Sequence, residues 1–332
     1  MAKLITVPVD RITETAGKDG ISGKPDQSSA MPSSWAIWFS RVSSLVNNVQ
    51  ESGVTADRPT KNLYVGRSFF DTTIGKPVWY DGTGWVTAME DLMLEWAAGN
   101  KTGYSTVNKF GRNTAIAANA TEDIWDGSAI YTWPSSASVT HIRSAVDSAT
   151  TQGMVVEVQG LDTNWDLSVQ NATLDGTDST TEVALTTALR RVFRMRVLDS
   201  SLADQNIQVG PTGFATQQGV ITAGNNQTLM ALYTVPNGKT AYMTNYYASL
   251  NPAANQDPTT MQIRLWGVDN ENGYARQLKH TRGLDADASN MFQHKFEPYY
   301  KFTQKTDIYI DGTTVGKAAD ISAGFDLILV DN

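Results

Sequence analysis

From about residue 110 onward, apolar and polar residues alternate in short runs. The clearest are MVVEVQGLD (154–162), RVFRMRVLD (191–199), TLMALYTVP (228–236), AYMTNYYASL (241–250), MQIRLWGVD (261–269) and TDIYIDG (306–312). A period of two places one face on a core and the other in water, the signature of antiparallel strands. Gly, Pro and Asp punctuate the runs, so the fold class expected is mainly β, with two antiparallel β-sandwich, jelly-roll-like domains. An internal echo supports two copies. AIYTWP (129–134) resembles ALYTVP (231–236), and MVVEVQGLD resembles MQIRLWGVD, in the same order and at nearly the same spacing.

The pattern upstream is different. Trp35, Trp38, Phe39, Val42, Leu45, Val46 and Val49 fall at helical spacing after Ser33 and Ser34, which can cap a helix, and before Gly53, which can stop one. A helix this short needs something to pack on. The next stretch, KNLYVGRSFFDTTIGKPVWYDGTGWVTA (61–88), offers three strand candidates, LYVGRSFF, KPVWY and WVTA, joined by Gly- and Asp-containing turns. A meander of this size buries little by itself. Its Leu63, Phe69, Phe70, Trp79, Tyr80 and Trp85 are therefore expected, with the seven apolar helix residues, to form an oligomer interface. The division expected is an extended anchoring arm (1–32), an oligomerisation helix (33–53), the aromatic meander and a linker (54–109), a first sandwich (110–212) and a second (213–332). The linker holds a brief helical stripe, Leu92, Leu94 and Trp96.

Composition narrows the functional classes. Only 18% of the 332 residues are charged and the net charge is −8, which argues against nucleic-acid binding through phosphate neutralisation. Arg190, Arg191, Arg194 and Arg196 form a basic run, but alternate strand positions face opposite ways, so no single patch is expected. The absence of cysteine excludes disulfides and thiolate chemistry. No apolar run is long enough to span a membrane as a helix, and the N-terminal MAKLITVPVDRITETAGKDG has no apolar core of a signal peptide.

The segment SGVTADRPTKNLYVGRSFFDTTIGKPVWYDGTGWV resembles a module of tailed-bacteriophage virion proteins, with the string RPT…LYVG..FFDTT.GKP.WY.G..WV. The downstream WDGSAIYTWPSSASVTHI, VVEVQGLD, TLDGTDSTTEVAL, RVFRMRVL and ALYTVPNGKTAYMTNYYASL resemble a second set of phage structural proteins. Together they cover most of residues 50–250. The resemblance implies a virion structural protein, assembled in the bacterial cytoplasm: a trimeric tail-attached fibre or appendage docked through its N-terminal arm on another phage tail or capsid protein. The alternative placement is a head fibre or capsid decoration protein. It implies no active-site constellation.

The search for chemistry is thin. His141, His280 and His294 sit in no ligand or catalytic spacing. A glycan-degrading tailspike would need two acids across a sugar. Asp123 with Asp126, or Asp162 with Asp166, could be named, but such residues are more simply turn formers. Asp175, Asp178 and Glu182 depart from calcium-loop spacing. Trp125, Trp165 and Trp266, taken as exposed, could stack on a host surface glycan or on another subunit. No enzymatic activity, metal or cofactor is expected.

Overall fold

The computed structural model describes residues 51–87, 92–252 and 260–332. The arm at 1–32 and the apolar stripe Trp35 to Val49 lie outside these residues. Two compact units divide the chain, one up to Leu94 and one from Glu95.

In the first unit, β1 (Ser52–Gly53), β2 (Ser68–Asp71), β3 (Lys76–Tyr80) and β4 (Trp85–Thr87) form one sheet in that order. Strand β1 runs parallel to β2; the other pairs are antiparallel. Ser52 and Gly53, expected at the end of the helix, are thus extended. Strand β2 starts later than LYVGRSFF suggests, because Gly66 turns the chain at φ +90°. Phe69 pairs with Val78 across the ladder, and both are buried. Two residues on, buried Asp71 closes the module. It accepts hydrogen bonds from Thr55 Oγ1 (2.7 Å), Arg58 Nε (2.7 Å), and the Thr73 and Ile74 amides (2.8 and 3.3 Å). Burial would raise its pKa, but these bonds outweigh that and hold it at about 2. The expected helical stripe is α1 (Leu92–Ala97).

Among the described residues the second unit carries sixteen strands. They are β5 (Tyr104–Ile116), β6 (Thr121–Asp123), β7 (Val139–Ser144), β8 (Val155–Leu161), β9 (Leu167–Thr173), β10 (Val183–Leu189), β11 (Arg191–Val197), β12 (Ile207–Gly210), β13 (Gly219–Ile221), β14 (Leu232–Thr234), β15 (Lys239–Pro252), β16 (Thr260–Asp269), β17 (Gln277–Asp285), β18 (Met291–Phe302), β19 (Thr306–Val315) and β20 (Ala319–Asp331). Four antiparallel sheets result: β10-β7-β12-β13, β11-β8-β9, β14-β19-β16-β17 with β6 also on β19, and β18-β15-β20-β5. The first two enclose one apolar core and the last two another. Among the described residues the architecture is mainly β, with antiparallel sandwiches and one short α-helix.

The two sandwiches have the same strand order. Advancing each of β7 to β12 by eight turns the first pair of sheets into the second, with β13 and β5 as the matching edge strands. The register agrees too: Val192 faces Gly160 in the first sandwich, and Ile308 faces Gly267 in the second. Arg191 and Asp307 therefore occupy equivalent positions.

The edges are exchanged. Strand β5 lies before the first copy but pairs with β20 of the second, and β6 pairs with β19. Strand β13, after the first copy in sequence, pairs with β12 of that copy, and Gln227 bridges to Arg196. The segments leading into the two copies thus cross. At the crossing Trp125 bridges Met230, Asp126 N–H donates to Leu229 O (2.9 Å), and Ala231 N–H donates to Ile124 O (2.9 Å). These two bonds flank the one antiparallel bridge. A sequence boundary at 212/213 therefore does not divide the sheets: β5 from Phe110 on and β6 belong with the second core, while β13 belongs with the first.

Candidate functional site

The first candidate is the surface of the aromatic module. The predicted interface residues Trp35, Trp38, Phe39, Val42, Leu45, Val46 and Val49 lie outside the described residues. Of the rest, Phe69 is buried against Trp85, ring centroids 5.9 Å apart. Leu63, Trp79, Tyr80 and Trp85 are half-buried, and Trp85 Nε1 donates to Pro59 O (3.2 Å). Only Phe70 is largely exposed. The module therefore hides more of its aromatic surface than its length suggests, because the 55–60 segment folds over it through Asp71 and Trp85. Outward-facing apolar residues are Val54, Tyr64, Val65, Phe70 and Ile74. Strand alternation does not single out Tyr64 and Ile74; their place in turns, where apolar side chains have no strand face to hide on, is the available signal.

The second candidate lies in the seam between the duplicated sandwiches. Arg191 holds Asp307 in a bidentate pair, Nε to Oδ1 at 2.9 Å and Nη2 to Oδ2 at 3.0 Å, and both side chains are almost fully enclosed. Thr234 Oγ1 and Asn270 Nδ2 also donate to Asp307, at 2.6 and 2.8 Å. The third Arg191 nitrogen, Nη1, donates to the carbonyls of Pro134 and Arg190. Around this pair Trp133, Pro134, Ser135, Trp165, Arg190, Val268 and Asn270 line a cleft of about 390 Å³.

Two indoles and two guanidiniums meet there. Arg191 lies over Trp133 and Trp165 at 5.1 and 4.9 Å, and Arg190 lies over Trp165 at 4.9 Å. Strand alternation suggested that these arginines would diverge. They converge because Arg190 lies in the turn between β10 and β11, outside either strand. Trp165 sits at φ +67°, a conformation bulky residues rarely adopt, in the turn after Asp162. Of the tryptophans taken as exposed, Trp165 is half-buried in this cleft. Trp125 is instead buried at the crossing, its Nε1 donating to Ala129 O (3.0 Å). Trp266 is half-buried between Arg264 and Arg276, at 5.4 and 4.6 Å.

The carboxylates proposed in pairs have other partners. Asp162 Oδ1 accepts the amides of Asn164 and Asp166, closing a turn. Asp175 and Asp178 do the same for Thr177 and Thr180, and Glu182 accepts the Gly213 amide. Asp126 receives Thr222 Oγ1 (2.8 Å) and Arg112 (3.3 Å). Asp123 is buried opposite Asp311 on β19. Burial pushes its pKa up to about 7, against the Tyr131 amide that bonds its carboxylate, while the charge of Asp311 adds to the rise. Asp311 is also raised by burial but is held by Arg264 at 2.8 and 2.9 Å. His141 bonds Thr140 and Thr212, and His280 bonds Tyr246 while stacking on His294 at 4.2 Å. Among the described residues no group of three or more His, Cys, Asp or Glu side chains is placed to hold a metal ion.

No family model and no curated protein matches the chain. Among solved structures, it is similar to that of the infectious bursal disease virus Gt strain, at 11% identity and a TM-score of 0.21, over 69% of this chain and 73% of that one. It is similar also to the infectious bursal disease virus VP2 subviral particle, at 12% identity and a TM-score of 0.19, over 69% and 72%. Likeness this loose carries no inference about function.

Proposed function

We propose that the chain is a non-catalytic structural component of a tailed-bacteriophage particle: a trimeric, tail-attached fibre or appendage, assembled in the host cytoplasm and docked through residues 1–32. The observation that carries the reading is the RPT…LYVG..FFDTT.GKP.WY string, whose resemblance to phage virion proteins now has a physical reading. Its Arg58, Pro59, Phe69 and Asp71, with Trp85 just beyond it, close the small module. Its exposed Tyr64, Val65, Phe70 and Ile74 are left for contact with another surface. Light scattering on the intact protein is expected to give the mass of several chains at low concentration; a monomer at 36.2 kDa would overturn the oligomer. Deleting residues 1–32 is expected to leave a soluble oligomer that no longer joins particles.

A second placement, a head fibre or capsid decoration protein, is favoured by the paired sandwiches, which make up most of the chain. Gold labelling of the protein on intact particles separates head from tail. A reducing-sugar assay on host polysaccharide tests the absence of catalysis.

A further inference from the structure

The two neighbouring arginines of the seam are treated very differently by the fold. Arg191 has every nitrogen paired and its charge met by Asp307. Arg190 has no carboxylate partner among the described residues. Only its Nη1 is used, donating to Ser135 O at 2.5 Å, and its Nε is sealed from solvent with no acceptor at all. A half-enclosed guanidinium without a counter-charge is a standing cost. The surrounding groups are suited to a ligand that would remove it. Trp133, Trp165, Pro134 and Val268 supply apolar walls. Among the described residues the Ser135 hydroxyl and the Asn270 side-chain carbonyl have no hydrogen-bond partner. The volume, about 390 Å³, lies at the small end of ligand sites, about 300–1,000 Å³.

We propose that this cleft is a binding site for an acidic saccharide unit, a pyranose ring bearing a carboxylate. The carboxylate takes the free Nη2 of Arg190 and, with a small shift of the side chain, its Nε as a fork. The C–H faces of the ring lie against the indoles, which are amphipathic in the same sense. Ring hydroxyls reach Ser135 and Asn270. The chain carries −8 overall, so attraction comes from this one guanidinium rather than from a diffuse basic field. The site goes beyond the assembly role and is argued independently of it, from lining residues of the second unit.

The test is a tryptophan-fluorescence or NMR titration of the full chain with glucuronate, glucose and acetate. Glucuronate is expected to bind saturably in the ~10 mM range or below, with glucose and acetate at least about tenfold weaker. Arg190→Gln is expected to lose at least about tenfold. Because Arg190 also stacks on Trp165, Ser135→Glu provides a second variant. It alters an exposed residue, leaves the packing alone and supplies the missing counter-charge, and it is expected to abolish binding with the melting temperature held or raised. Acetate binding as well as glucuronate would reduce the site to an anion hole and overturn the saccharide. Glucose binding as well as glucuronate would remove Arg190 from recognition. No saturable glucuronate binding, or full binding by Ser135→Glu, would overturn the proposal outright. Oligomer mass is unaffected by every one of these outcomes, so failure here is distinguishable from failure of the assembly reading.

Discussion

The Arg191–Asp307 pair joins the two copies at equivalent positions, and its removal should be felt by the whole second unit. Both side chains are enclosed, at 4% and 3% exposure, so solvent does little to screen them. Asp307→Ala strands a buried guanidinium and leaves Thr234 Oγ1 and Asn270 Nδ2 without their acceptor. Removing one partner of such a pair costs about 3–5 kcal/mol. For a unit of roughly 240 residues, the unfolding entropy near the midpoint is about 0.5 kcal/mol/K. The expected fall in Tm is therefore about 6–10 °C. Arg191→Met should cost less, because Thr234 and Asn270 still bond the carboxylate. The double variant Arg191→Met/Asp307→Ala should recover part of the loss, since no charge is left buried, and the cycle should give a coupling above about 1 kcal/mol. Calorimetry or urea unfolding of the four proteins measures this. Strict additivity, or an Asp307→Ala shift of under about 2 °C, would refute the view that this contact locks the copies together.

Other consequences follow from the same geometry. A Cβ on Gly111 would lie 2.3 Å from Ala231 N and 2.4 Å from Ile124 O, so Gly111→Ala should block the crossing and yield insoluble protein; a soluble variant with native circular dichroism would count against the exchange. Residues 95–212 and 213–332 produced separately should each fail to fold, and co-expression should restore a complex. Asp123 has its folded pKa raised from 3.8 to about 7. The native state therefore holds a proton that the unfolded chain releases, and stability should decline as pH rises through that window, by up to about 4 kcal/mol. Asp123→Asn, which can still accept the Tyr131 amide, should flatten the decline and raise Tm at alkaline pH; an unchanged pH profile would show that Asp123 is not its source. Asp71 behaves in the opposite sense: held at about 2, it stabilises the aromatic module fully above the ordinary carboxylate pKa of 3.8 and loses that contribution only as pH falls toward 2. Asp71→Ala should make residues 51–87 the first site of limited proteolysis at neutral pH.

Much of this protein is legible in its residue pattern. Alternation in MVVEVQGLD and MQIRLWGVD marks β8 and β16, because a half-buried strand has no other way to place its side chains. The repeated YT-x-P and G-x-D strings point to duplication, and the two sandwiches share one strand order. Punctuation by Gly82, with Asp81 capping the Thr83 and Gly84 amides, is local chemistry and is visible locally. What the sequence left undecided is long-range. Strand β5 reads the same whether it pairs with β12 or with β20, since alternation specifies a face and not a neighbour; only the crossing at Trp125 and Met230 decides. The same holds for Trp125, which looks like a surface aromatic until that crossing covers it. It holds as well for Arg190 and Arg191, adjacent in sequence and on diverging faces had the strand continued. The turn between β10 and β11 brings them to one cleft, and Asp307, more than a hundred residues away, neutralises one and leaves the other free.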